Sequence, residues 1–305
     1  METAAAVLVI TYVGIAFTRL PGVTIDRPSA AFTGAVLMVL LGVMTVDQAV
    51  AAIDFNTIAL LLGMMMLVAV LRHNGFFHLL AARSFALART PWRFLAVVMV
   101  ATAVLSAFLV NDVVVLLFTP VILQVCRRMQ VNPVPYLIAE AMASNTGSTA
   151  TIVGNPQNML IGVRSGISFG RFFLYLAPVA IAATAALILV IYLFYRRQLS
   201  LPTTQPRPEV VPEAYHPRSM RWAGGILLVT MVLFFLSSRI HMGVPVIALA
   251  SGAAVLLLGR IRPSEIIRTV DWVLLLFFAG LFVVVGGARQ AGVLDPLLER
   301  LTISP

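Results

Sequence analysis

Apolar positions run through most of this chain in stretches long enough to cross a bilayer. Ala30 to Met44, Phe55 to Leu71, Phe172 to Tyr195 and Trp272 to Ala288 carry no charge at all. A span needs about 20 mostly apolar residues, so the pattern predicts an all-α integral membrane protein with about eight spans. Two places break it. Asn111-Asp112 interrupts one apolar stretch, and Ser144-Asn145-Thr146-Gly147-Ser148-Thr149 through Gly154-Asn155-Pro156-Gln157-Asn158 interrupts another. Unpaired backbone in hydrocarbon costs several kcal/mol per group, so irregular chain at that depth persists only where it is buried in protein or lines a ligand-holding cavity.

Phe94 to Gln124 is too long for one comfortable span and too short for two. It is read either as a kinked single crossing or as a re-entrant hairpin over 94–125. Arginine placement separates the two, because the choice inverts the sidedness of every later loop. With a hairpin, 16 of the 21 basic residues, all of them Arg, gather on one side and 5 on the other; with a single crossing the split is 11 against 10. The hairpin is therefore preferred. It opens to the cytoplasm, places the N-terminus outside and leaves five true crossings in the first part of the chain.

An internal duplication is visible. A shift of 217 positions superposes Pro28 on Pro245, Gly42 on Gly259, Asp54 on Asp271, Gly63 on Gly280, Arg72 on Arg289 and Gly75 on Gly292. These are segment ends and packing positions rather than interchangeable Leu and Val. An odd number of crossings per copy makes the second copy inverted, the layout of many secondary transporters. The division read from this is a first transporter repeat over 1–199, a Pro- and Arg-containing cytoplasmic linker over 200–221 and an incomplete second repeat over 222–305. The second counterparts of Ser106 and Asn155 would fall at 323 and 372, which leaves three readings: a fragment, a truncated product, or a site completed by a partner chain.

Composition narrows the class. The sequence is 60% hydrophobic with mean hydropathy +1.00, and only 11% is charged. The net charge of +9 is a membrane-topology signal spread between apolar runs, so no nucleic-acid partner is expected; the lipid bilayer is. Cys126 is the lone cysteine, and His73, His78, His216 and His241 fall in predicted loops or ends without ligand spacing. No cofactor is expected, and no metal beyond a transported sodium ion. A phosphate-binding G-x-x-x-x-G-K-[ST] and an H-E-x-x-H are both missing, so the chain is not read as an enzyme. An intramembrane hydrolase would leave Ser106 and Asp112 without a His or Lys base.

Candidate binding residues follow from the two polar interruptions. Ser106, Asn111 and Asp112 fall at the hairpin tip, where free carbonyls and side-chain oxygens suit a cation and the amides opening the next half-helix suit an anion. A broken helix over 135–163 is expected to lose helical character from Ser144 onward. Ser144, Asn145, Thr146, Gly147, Thr149, Asn155, Pro156 and Asn158 supply neutral dipoles and backbone freedom there. Asp112 and Glu140 are the candidate coupling carboxylates. Asp54 and Asp271, each before an aromatic residue at a helix start, are read as caps.

Leu105-Ser106-x4-Asn111-Asp112 followed by Pro120, Ser144-Asn145-x-Gly147-x-Thr149-Ala150-Thr151-x2-Gly154-Asn155-Pro156-x-Asn158, and Ala69-Val70-Leu71-Arg72-x2-Gly75 resemble the ion transporter superfamily. That group holds arsenite and antimonite permeases, citrate and dicarboxylate carriers, and sodium-proton antiporters. The resemblance extends over nearly the whole chain. It implies an inverted-repeat secondary transporter in which hairpin and broken-helix tips enclose a small anion and a coupling ion, commonly as a homodimer. Dicarboxylate carriers typically carry Ser-Asn-Thr at the hairpin tip, whereas Asp112 follows Asn111 here, a departure toward the arsenite-permease-like or proton-coupled branch. The expected function is secondary active transport of a small anion (arsenite, citrate, a dicarboxylate or similar) across the cytoplasmic (inner) membrane, coupled to a proton or sodium gradient. The rival readings are a sodium-proton antiporter and a non-transporting truncated membrane subunit.

Overall fold

The computed structural model describes residues 1–17, 26–85, 90–199, 217–259 and 261–296. Residues 200–216 of the expected linker, with His216, lie outside these, as do Arg19, Arg89, Arg260 and Arg300. The rest of the linker reading is corrected: 217–221 open a helix, Pro217 taking its first position, where a missing amide costs nothing.

The described residues form helices and connecting turns. In chain order they are α1 (Glu2–Ala16), α2 (Arg27–Leu40), α3 (Val46–Ala52), α4 (Phe55–His73), α5 (Phe76–Phe85), α6 (Pro91–Phe108), α7 (Asn111–Met129), α8 (Val134–Ser148), α9 (Pro156–Ser165), α10 (Phe169–Leu199), α11 (Pro217–Ile240), α12 (Val244–Leu258), α13 (Pro263–Thr269) and α14 (Trp272–Gln290). Five of them, α4, α6, α10, α11 and α14, are long and apolar enough to cross a membrane, and α1, α2 and α12 are shorter apolar helices. Large apolar side chains such as Leu174, Tyr175, Val179 and Ile181 on α10 are exposed, which in a bilayer is a lipid-facing stripe. His78, read as a loop residue, lies within α5.

The shift of 217 reproduces helix bounds as well as residues. Added to α3 it gives 263–269 and to α4 it gives 272–290, the observed bounds of α13 and α14, and α2 maps onto α12 to within one residue. Asp54 Oδ1 accepts the amides of Asn56 and Thr57 at 3.1 and 3.2 Å, and Asp271 Oδ1 accepts that of Leu274 at 2.9 Å. Both are N-caps. Gly75 and Gly292 both take positive φ, 75° and 72°, a conformation glycine adopts without steric cost.

Packing divides the chain differently from its sequence. One compact unit comprises 1–58 and 271–305, the other 59–270. Within the first, α14 lies on α2 so closely that a Cβ at Gly280 would come within 2.8 Å of the Ala31 carbonyl carbon. Within the second, α4 lies on α12, where a Cβ at Gly63 would meet the Ala248 backbone at 2.3 Å. Ala31 shifted by 217 is Ala248. Equivalent glycines therefore meet equivalent alanines, and each pair joins one sequence copy to the other.

Candidate functional site

Hydrogen bonds give the course of the polar region. Tyr136 in the first turn of α8 donates from its hydroxyl to Pro91 O at the start of α6 (3.2 Å), while Ser106 near the end of α6 donates to Ser144 near the end of α8 (3.3 Å). Helices α6 and α8 therefore run alongside in the same sense. Ser144 also donates to Asn111 O (3.1 Å), and Thr119 donates to Glu140 Oε2 (2.9 Å), so α7 runs back along α8 in the opposite sense. Helices α6 and α7 are thus an antiparallel pair, with Pro91 and Met129 at the same end. The pair's bounds are wider than the 94–125 of the expected hairpin, and its arms of 18 and 19 residues are each about 27 Å long at 1.5 Å per residue, close to a full core thickness. Arg93 and the Arg127-Arg128 pair belong to the helices and are exposed at their ends, where long basic side chains reach the interface.

The broken helix also differs from expectation at one edge. Ser144, Asn145, Thr146, Gly147 and Ser148 remain helical, and the break covers 149–155. Local side-chain bonds explain this. Asn145 Nδ2 donates to Ala141 O, Thr146 Oγ1 to Ala143 O, Ser148 Oγ to Asn145 O and Thr149 Oγ1 to Thr146 O, at 2.7–3.2 Å. Polar side chains that fold back onto carbonyls three or four residues earlier need no water and leave the helix intact.

Beyond Ser148 the backbone is stitched by amides. Asn155 Oδ1 caps the Asn158 amide at 2.8 Å and its Nδ2 donates to Ser148 Oγ at 3.1 Å. Asn158 Nδ2 reaches the carbonyls of Ser148, Thr149 and Thr151 at 3.2, 3.3 and 3.0 Å. Asn111 N donates to Gly154 O at 3.0 Å, and Thr151 Oγ1 donates to Ala107 O. Pro156 begins α9. Gly147 lets α6 approach, since a Cβ there would lie 2.2 Å from Ala103 O.

Four helix ends meet at this point, the C-termini of α6 and α8 and the N-termini of α7 and α9. The partial charges of such ends are opposite, carbonyl-rich at the first two and amide-rich at the others. The side chains sort into two groups around them. Ser106, Ser144, Ser148 and Thr151 are fully buried and lock the hairpin tip to the break. Asp112, Asn145 and Thr149 are exposed, and Thr146, Asn155 and Asn158 are half-buried. Asn111 is buried with its Oδ1 unpartnered, and Glu140 likewise has no partner on Oε1. Beside α6 and α8, an almost wholly apolar cavity of about 360 Å³ is lined by Ala103, Ala107, Gly147, Phe173, Ala180 and Thr184; its one polar side chain, Thr184, is paired with Thr146 Oγ1 at 3.1 Å. Ser148, Thr151 and Thr119 were not singled out from sequence. The first two extend the hydroxyl run, a signal that was available, whereas a lone Thr before Pro120 in an apolar helix gives none.

The sequence pattern of the citrate transporter family matches residues 7–304. The chain belongs to the citrate transporter family. Relatives are consistent in kind. An uncharacterized transporter of Mycobacterium tuberculosis is 34% identical over 311 residues, covering 97% of this chain and 71% of the relative. A 46 kDa membrane protein of Mycobacterium leprae is 32% identical, covering 98% and 71%. An inner membrane protein of Escherichia coli K12 is 32% identical over 253 residues, covering 83% and 64%. This citrate transporter family member is thus a multi-pass membrane transporter, and the four-helix junction is its candidate binding site.

Proposed function

We propose that the chain performs secondary active transport of a small oxyanion of the citrate or dicarboxylate kind, driven by a proton or sodium gradient. The observation that carries this reading is the meeting of two helix N-termini and two C-termini at one point, with Asp112, Asn145 and Thr149 exposed on it. Amide ends favour an anion and carbonyl ends a cation, so one junction accommodates substrate and coupling ion together. Its neutral hydroxyls and carboxamides bind an oxyanion without a fixed arginine clamp, which would slow release. Ser106, Ser144, Asn155 and Asn158 act as the frame that holds the helix ends in place.

The test is uptake by the purified protein in proteoliposomes under an imposed proton or sodium gradient. Accumulation of labelled citrate, inhibited by unlabelled di- and tricarboxylates, is the expected result. Arsenite uptake without citrate uptake would move the substrate to another anion class. Sodium-dependent proton movement with no anion present would replace the proposal with antiport.

A further inference from the structure

We propose that Glu140, buried between α7 and α8 against Thr119, is the proton-carrying site of the transport cycle. This rests on the transporter reading above and assigns one buried residue of the chain to the proton step.

Glu140 is 1% exposed. Its Oε2 accepts the Thr119 hydroxyl at 2.9 Å, and its Oε1 has no hydrogen-bond partner. An ionised carboxylate so enclosed is costly unless a second group neutralises or solvates it. Helices α6, α7 and α10 pack against α8. From α6 the titratable side chain is Arg93, exposed in the first turn; α7 contributes Asp112, seven residues before Thr119, the buried Cys126, and the exposed Arg127 and Arg128 at its end. From α10 come Arg171, Arg196 and Arg197 near its exposed ends, with Tyr175, Tyr192 and Tyr195 between them. On α8 itself the Tyr136 hydroxyl is engaged by Pro91 O. None of these is hydrogen-bonded to Glu140.

A carboxyl group buried without a cationic partner among the described residues is stable there as the neutral acid, that is, with a proton on it. Hard-cation sites surround the ion with about six oxygens, whereas the one hydrogen bond to the Glu140 carboxyl comes from the Thr119 hydroxyl. A proton needs one oxygen lone pair and no cage. The step balances simply: carboxylate Oε1 takes H⁺ from water on one side of the membrane to give the neutral acid, and returns H⁺ to water on the other.

The surroundings supply both a helix defect and a link. Pro120 has no amide to offer the Leu116 carbonyl, so α7 lacks a helical bond next to Thr119, a weak point in the helix beside the carboxyl group. Glu140 precedes Ser144 by four residues, about 6 Å along the helix, and Ser144 is bonded to both Ser106 and Asn111 O. Charging Glu140 thus acts on the segment that holds the junction together.

The experiment has two arms on purified, reconstituted protein. Infrared difference spectroscopy across a pH titration reads the carbonyl stretch of a protonated carboxylic acid, with no substrate present. The wild type is expected to show such a band that titrates away as pH rises, and monodisperse Glu140→Gln protein is expected to lack it. In the second arm, accumulation of labelled citrate under an imposed pH gradient is expected to fall roughly tenfold or more in Glu140→Gln, the scale of coupling between linked sites, with its pH profile flattened, while Glu140→Asp retains a pH-dependent profile. A band unchanged by Glu140→Gln, or wild-type accumulation and pH profile in that variant, overturns the proposal. If the wild-type protein moves no citrate, the substrate reading fails, and the infrared arm still decides whether Glu140 exchanges a proton.

Discussion

Replacing Gly147 by alanine tests how the hairpin is held to the broken helix. An added Cβ would lie 2.2 Å from Ala103 O and 2.4 Å from Ala103 Cα. Both are backbone atoms, so no rotamer change relieves the contact. Helix α6 must retreat by at least 3.0 − 2.2 = 0.8 Å to reach the shortest separation that real Cβ atoms show. That retreat takes the Ser106–Ser144 hydrogen bond from 3.3 Å toward 4 Å and strains the bond from Thr151 to Ala107 O, beyond hydrogen-bond range for the first. Overpacking of this kind costs about 1–3 kcal/mol, and a buried polar group left unsatisfied about 1–3 more. The sum is roughly 2–6 kcal/mol, a fall in Tm of about 3–9 °C at the usual unfolding entropy per residue. The assay is thermal unfolding in detergent, with Gly225→Ala as the control. Gly225 lies in α11 with open space around its Cβ position, so alanine there is expected to stabilise by about 0.5–1 kcal/mol through helix propensity. The two substitutions should move Tm in opposite directions. An unchanged or raised Tm for Gly147→Ala would refute the close approach and the hydrogen-bonded tip built on it.

Asn145→Ala, at an exposed position, should leave Tm within the equivalent of about 0.5 kcal/mol yet lower substrate uptake; equal uptake would remove Asn145 from the site. Asn158→Ala takes the shared donor from three carbonyls and is expected to destabilise by about 2–3 kcal/mol, read as Tm. Thr230→Val deletes the 2.7 Å bond to Ser251 between α11 and α12 and should cost about 1 kcal/mol in the same measurement without altering the pH profile of uptake. With Cys126 replaced by serine, single cysteines at Arg93 and Arg128 should react with a membrane-impermeant maleimide from the same side of oriented vesicles. Labelling from opposite sides would convert the hairpin into a crossing.

What the sequence made legible was whatever left a polar mark in an apolar background. Asn111-Asp112 and the stretch from Ser144 to Asn158 stood out because hydrocarbon tolerates them poorly, and they proved to be where four helix ends meet. The duplication was readable from caps and glycines, and carried over to helix bounds. Marks of the opposite kind misled. Charge read as a helix end leaves Arg93 and Arg127-Arg128 out of the hairpin, whereas their exposed side chains sit on the first turn of α6 and the last turn of α7. Hydroxyls and amides read as breakers predict unwinding from Ser144 to Ser148, yet Asn145, Thr146 and Ser148 bond back to their own helix and Ser144 bonds to the hairpin. Helix α5 was lost among arginines that suggested a loop. The pairing of Thr119 with Glu140 had no sequence signature, since it depends on α7 folding back along α8.

The traded glycine contacts bear on biogenesis. Gly63 finds its seat on Ala248 and Gly280 on Ala31, so neither glycine-bearing helix meets its partner within its own copy. During synthesis α4 enters the bilayer with one flank bare, and must stay so until α12 leaves the ribosome some 170 residues later. Full packing of either copy therefore waits on the other.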